Sequence, residues 1–225
     1  MSDSRITTPT AGMTTAAEPL APAAAPVAEA AVADPAPLGL AGFAMTTMVL
    51  SVVNAGLMNA AIAPAVLGLA LFYGGATQLF AGMWEFRRGN TFGAVAFSSF
   101  GAFWLSYWFL ATFSLRAVPL GQIHSAVGIY LLGWTIFTAY MTMGALRVSG
   151  AVTAVFALLT LTFLFLTIGA FGSTVPLTSS WTKIGGWLGL ATAAAAWYAS
   201  FAGVTNATWK RTVLPTWPMA ATGRS

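Results

Sequence analysis

Side chains able to do covalent chemistry are scarce in this sequence. Among 225 residues there is one His, His124, no Cys, and five acidic residues. A thiolate nucleophile or a disulfide is excluded. A metal cluster built from His, Cys and carboxylates has too few members to draw on. The acids Asp3, Glu18, Glu29, Asp34 and Glu85 are scattered singles rather than a pair placed for acid–base work. A dyad of Ser with His124 would need a Ser that some motif marks as a nucleophile, and none is marked. The expectation is a protein that is not an enzyme, with no cofactor and no metal.

Milder polar chemistry remains. Phe43, Thr47, Ser51 and Asn54 fall on one helical face by four- and three-residue spacing. Tyr73, Thr77 and Ala81 do the same, with Gln78 beside them. Such groups either bond their own or neighbouring helices or contact a passing solute. For Asn54 and Gln78 both readings stay open, since a carboxamide away from water needs a partner.

The elements that must position these residues follow from composition. Hydrophobic residues make up 58% and charged residues 6%, against about 25% charged in soluble domains. That shortage of polar surface excludes a soluble globular protein. The net charge of +4 comes from basic residues scattered along the chain. They read as a topology signal and not as a nucleic-acid patch, so no nucleic-acid partner is expected.

Charge-free intervals run from Gly89 to Leu115, Ala117 to Leu146, Val148 to Thr182 and Ile184 to Trp209. A spanning helix needs about 20 apolar residues, so each interval holds one. The stretch from Pro35 to Trp84 holds two, divided at Asn59-Ala-Ala-Ile-Ala-Pro64. The fold class expected is all-α integral membrane, with six transmembrane helices. Their spans are Leu38–Met58, Pro64–Trp84, Phe92–Ser114, Gly121–Leu146, Ser149–Phe171 and Gly185–Thr205. Asp34 precedes the first as a capping residue.

Orientation follows from Lys and Arg. Arg87, Arg88, Arg147, Lys210 and Arg211 fall on one side, and only Arg116 and Lys183 on the other. The positive-inside rule then puts both termini in the cytoplasm. Residues 1–33, rich in Ala, Pro and Thr, read as a disordered cytoplasmic tail. The six-helix transmembrane core is 34–214, and 215–225 is a short second tail.

No charged residue lies well inside a proposed span. Glu85 with Arg87 and Arg88 reads as a solvated cluster ending the second helix, and His124 as an interfacial side chain. Rows of small residues, Ala70, Gly74 and Gly82 on the second helix and Gly185, Gly189 and Ala193 on the sixth, allow close backbone approach. They serve tight packing or line a narrow pore.

Asp34-Pro-Ala-Pro-Leu-Gly-Leu40 resembles the Asn-Pro-Ala-Pro-Leu-Gly-Leu signature of the acetate uptake transporter family, which includes the bacterial succinate–acetate permeases. The similarity continues through Phe72-Tyr-Gly-Gly75, Gln78 and Ala81-Gly-Met-Trp-Glu-Phe-Arg-Arg-Gly-Asn-Thr-Phe-Gly93. It goes on in Ala96-Phe-Ser-Ser-Phe-Gly-Ala-Phe-Trp104, Thr167-Ile-Gly169, Ala196-Trp-Tyr198 and Arg211-Thr-Val-Leu-Pro215. The resemblance implies a plasma-membrane homohexamer with a pore in each protomer, passing acetate and, in some members, succinate. It also implies an entrance motif, here Asp34, Pro35, Pro37, Leu38 and Gly39. A central hydrophobic constriction of Phe, Tyr and Leu falls by motif position on Phe43, Phe100 and Leu159. This chain departs twice, with Phe100 for the Tyr and Asp34 for the signature's Asn. Asn54, Tyr73 and Gln78 are candidate polar contacts along the path. A proton coupled to transport would ride on the substrate. The rival expectation is a channel for small neutral solutes such as urea or short amides.

Overall fold

Six helices long and apolar enough to cross a membrane account for most of the chain in the computed structural model, which describes residues 32–172 and 179–219. They are α1 (Ala36–Asn54), α2 (Ala60–Arg87), α3 (Thr91–Thr112), α4 (Ile123–Ala145), α5 (Gly150–Phe171) and α6 (Ser180–Trp209). The described residues form no strand. The expected tail falls almost wholly on residues 1–31, which lie outside the described residues, as do 173–178 and 220–225.

The helix boundaries follow local chemistry. Asn59 accepts from the Ala61 N–H at 2.9 Å, Asn90 from Gly93 at 3.1 Å and Ser149 from Val152 at 3.2 Å. Each satisfies a donor that an N-terminal turn leaves open. Gly56 and Gly89 turn the chain between spans with φ of 75° and 73°, a region costly for other residues. At the start of α1, Pro35 occupies the capping position. Asp34 lies one residue earlier, yet its Oδ1 still accepts from the Ala36 N–H at 3.1 Å.

Several expected bounds shift. α1 ends at Asn54 rather than Met58, because residues 55–58 make the turn into Asn59. α6 is the longest helix, beginning at Ser180 where Ser179 caps it and ending at the left-handed Lys210. α2 is not one uniform helix. It opens as a 3-10 turn (Ala60–Ala65) that accommodates Pro64, continues as α-helix (Val66–Leu71), widens to a π segment (Phe72–Thr77) and closes as α-helix (Gln78–Arg87). Wide π turns free backbone carbonyls and recur at functional sites.

The helices form a ring, with each packed on the next and α6 returning to α1. Glycines set the closest approaches. A Cβ on Gly42 of α1 would sit 2.6 Å from the Tyr73 carbonyl oxygen in the π segment. One on Gly82 of α2 would press on the Ser98 backbone of α3, and one on Gly186 of α6 on the Asn54–Ala55 backbone. The glycines of the small-residue rows likewise pack helices within one protomer, Gly74 on Thr46 of α1, Gly185 on Leu166 of α5 and Gly189 on Ser51 of α1. Between α3 and α4 the backbones stay further apart, and large rings bridge them, with Phe103 to Trp134 at 5.1 Å and Phe100 to Phe137 at 5.5 Å. Each such aromatic pair adds about 0.5–1.5 kcal/mol beyond its burial.

The segment after α6 is fastened to the bundle as far as Met219. Asn206 accepts from Val213 and Leu214 and donates to the Leu214 carbonyl, Tyr198 donates to the Pro215 carbonyl at 2.7 Å, and Gly150 donates to the Trp217 carbonyl at 2.8 Å.

Candidate substrate pathway

The interior of the ring holds two cavities in line. The outer one, about 300 Å³, is bounded by Thr47, Ser51 and Asn54 of α1, Phe103 and Tyr107 of α3, Tyr130 of α4 and Thr162 of α5, among others. The inner one, about 20 Å³, lies among Leu40, Gln78, Ala96, Phe97, Phe100, Val155 and Phe156. Phe43 and Leu159 border both.

Phe43, Phe100 and Leu159 are brought together from α1, α3 and α5, and each is buried to within 3%. The Phe43 and Phe100 rings are 5.8 Å apart and tilted by 59°. Phe100 is in turn held edge-on by Phe137 and Phe156. Rings locked from several sides make a stiff plug, since off-rotamer excursions are resisted by neighbours at interior density. The inner cavity has room for about one water, so the passage between the two is narrow and apolar. Apolar constrictions of this kind gate by excluding water.

Polar groups flank the plug on both sides. One turn outward from Phe43, Thr47 Oγ1 is buried without a hydrogen-bond partner among the described residues. Further out come Ser51 and Asn54, both buried and lining the outer cavity. On the inner side Gln78, only 1% exposed, likewise leaves its Oε1 unpartnered. Its placement follows from the π segment, which ends at Thr77 and resets the face that α2 presents. A hydroxyl and a carboxamide beside an apolar neck can receive the polar end of a small solute while its apolar end passes. Tyr73 is placed differently. It borders neither cavity, and its carbonyl packs against Gly42.

The entrance motif lies below the inner cavity. Leu40 reaches the cavity wall, Gly39 packs on the Phe97 ring, and the Pro37 carbonyl accepts from Ser200 of α6 at 2.6 Å. Asp34 is ion-paired to Arg88. Glu85 overturns the solvated-cluster expectation, being wholly buried beside the start of α3. Its Oε2 accepts from Asn90 Nδ2 at 2.9 Å and lies 3.9 Å from Arg88 Nη1, while Oε1 has no partner among the described residues. No group of His, Cys, Asp and Glu able to hold a metal occurs among the described residues.

The aromatic wall of the outer cavity, Phe103, Trp104, Tyr107 and Tyr130, was not singled out from the sequence. Its Tyr130 hydroxyl donates to the Phe103 carbonyl at 3.0 Å and lies 2.9 Å from Ser106 Oγ. The available signal was the row Phe100, Phe103, Trp104 and Tyr107 at helical spacing.

A profile of the GPR1/FUN34/yaaH family matches residues 16–221, nearly the whole chain. The chain belongs to this family. Within it, the sequence is 43% identical over 195 residues to "Ammonia transport outward protein 2" of Saccharomyces cerevisiae, covering 83% of this chain and 67% of that protein. It is 39% identical over 186 residues to the "Succinate-acetate/proton symporter SatP" of Escherichia coli, covering 81% of this chain and 94% of that one. The chain thus spans about two thirds of the yeast relative and nearly all of the bacterial one. Its fold is similar to the solved structure titled "Structure of the bacterial acetate channel SatP", with TM-score 0.73 and 38% identity over 83% of this chain and 99% of that chain. The family resemblance read from the motifs is therefore shown, and so is an all-helical, multi-pass membrane fold.

Proposed function

We propose that the protein is a plasma-membrane permease for acetate and related short-chain carboxylates, including succinate as a larger candidate. The path runs through each protomer, from the outer cavity, past Phe43, Phe100 and Leu159, to the inner cavity and the Asp34–Gly39 entrance. The observation that carries this reading is the pair of in-line cavities divided by one apolar plug, with Thr47 on one side and Gln78 on the other. The bacterial relatives named for succinate and acetate support the substrate class.

Passage favours the neutral acid. An ionised carboxylate loses its water in the plug, a cost of several kcal/mol even with partial compensation. Any proton that moves with the substrate is carried on it. Assembly as a homohexamer suits the lipid-exposed faces of the bundle, where Phe72, Phe80, Ile129, Ile136 and Trp187 present wide apolar surface. The basic end of the bundle, with Arg87, Arg88, Arg147, Lys210 and Arg211, faces the cytoplasm.

A second reading, a channel for small neutral solutes such as urea, short amides or ammonia, is favoured by the apolar neck and by the yeast relative's name. Liposomes holding the purified protein separate the two. Labelled acetate should enter faster than in empty liposomes, with labelled urea and ammonia at the empty-liposome rate. Urea or ammonia entry without acetate entry would establish the second reading instead.

A further inference from the structure

Arg88 stands at the junction of three elements, just beyond α2, before α3 and against the segment leading into α1. Its Nη1 faces two carboxylates, Asp34 in an ion pair and Glu85 at 3.9 Å. The two differ sharply in surroundings. Asp34 is 47% exposed at its side chain, whereas Glu85 is wholly buried and holds a hydrogen bond from Asn90. One guanidinium therefore balances both acids, and the exposed one takes the closer contact.

The position matters because Asp34 brings a negative charge to a segment that reaches the inner cavity through Leu40. We infer that Arg88 is a charge-balancing positioning residue that keeps the cytoplasmic mouth passable to carboxylates. Resting on the permease reading above, this assigns Arg88 no direct contact with substrate. Its guanidinium cancels Asp34, which would otherwise repel the carboxylate form in which acetate mostly reaches the mouth at neutral pH, before it takes its proton at the neck. It also ties the start of α1 to the α2–α3 junction. Without it, Asp34 and Glu85 would stand as two unbalanced acids near one opening, a like-charge barrier to an anionic substrate. Lys would restore the charge but not the two-sided reach of the planar guanidinium.

The test is acetate efflux from liposomes containing wild-type protein, Arg88→Gln, Arg88→Lys and the double variant Asp34→Asn/Arg88→Gln, each normalised to folded protein. Arg88→Gln should slow efflux roughly fivefold to tenfold at low salt, the scale expected of one uncancelled, partly exposed charge. The defect should shrink at about 1 M salt, where the Debye length falls to about 3 Å. Arg88→Lys should recover most of the rate, and adding Asp34→Asn to Arg88→Gln should recover it without any cation. A double variant as slow as Arg88→Gln, or a defect indifferent to salt, would overturn the inference in favour of a packing role. Equal rates for Arg88→Gln and wild type would overturn it outright. Absence of protein-dependent efflux from the wild type would instead count against the permease reading itself.

Discussion

On the permease reading, single side chains decide what passes the neck. Phe100 carries no hydroxyl, so the plug lacks a donor and acceptor at its midpoint. Phe100→Tyr should raise flux of the anion relative to the neutral acid, measured as the change in acetate uptake between pH values on either side of neutrality. An unchanged ratio would mean that ring polarity does not limit passage. Leu159 borders both cavities, so Leu159→Ala should join them and admit succinate, read as the succinate-to-acetate flux ratio. If Leu159 only packs, the same substitution costs about 2–5 kcal/mol of stability and leaves the ratio unchanged. At this scale the sequence was partly legible. The α1 face of Phe43, Thr47, Ser51 and Asn54 could be read from spacing, and all four line the outer cavity. Glu85 could not, because its burial depends on the Asn90 turn folding over it and on Arg88 reaching back to Asp34.

Helices two and six show what element-level reading captures and misses. Charge-free intervals revealed six spans, since lipid leaves few other places for long apolar runs. The π segment of α2 left no such trace, because Phe72-Tyr-Gly-Gly-Ala-Thr77 scans like any helical stretch. Its consequences are local: Tyr73 turns from the cavities, while Gln78 reaches the inner one. On α6, Gly189 meets the Ser51 side chain of α1 and lies near Thr162 of α5. Gly189→Leu should therefore disrupt three helices at once and lower the thermal midpoint in detergent. A variant as stable and active as wild type would show that this contact is dispensable. The bridges Thr162 to Thr192 at 3.2 Å and Thr135 to Thr167 at 3.0 Å join α5 to α6 and α4. Each hydroxyl also bonds a carbonyl one turn back in its own helix. Such bonds contribute only about 0.6 kcal/mol each in a bundle, so removing one should barely alter stability.

Across the whole molecule, the proposed route lies inside one protomer. Composition alone pointed to a membrane-embedded protein, yet the outer cavity was invisible to it, since its lining is assembled from α1, α3, α4, α5 and α6. Because a short carboxylic acid has a pKa of about 4–5, passage as the neutral acid makes uptake fall as external pH rises, in proportion to the protonated fraction. Uptake proportional to total acetate would point to the anion instead. The route itself can be probed directly, because the chain contains no Cys and a single introduced thiol has no background. Thr47→Cys places that thiol in the outer cavity beside Phe43, and Leu120→Cys places one on the exposed outer loop. After treatment with a thiol-reactive methanethiosulfonate, acetate uptake in liposomes should be blocked in Thr47→Cys and unaffected in Leu120→Cys, with excess acetate slowing the block. Full acetate uptake through Thr47→Cys protein whose labelling is complete would contradict a path through this cavity.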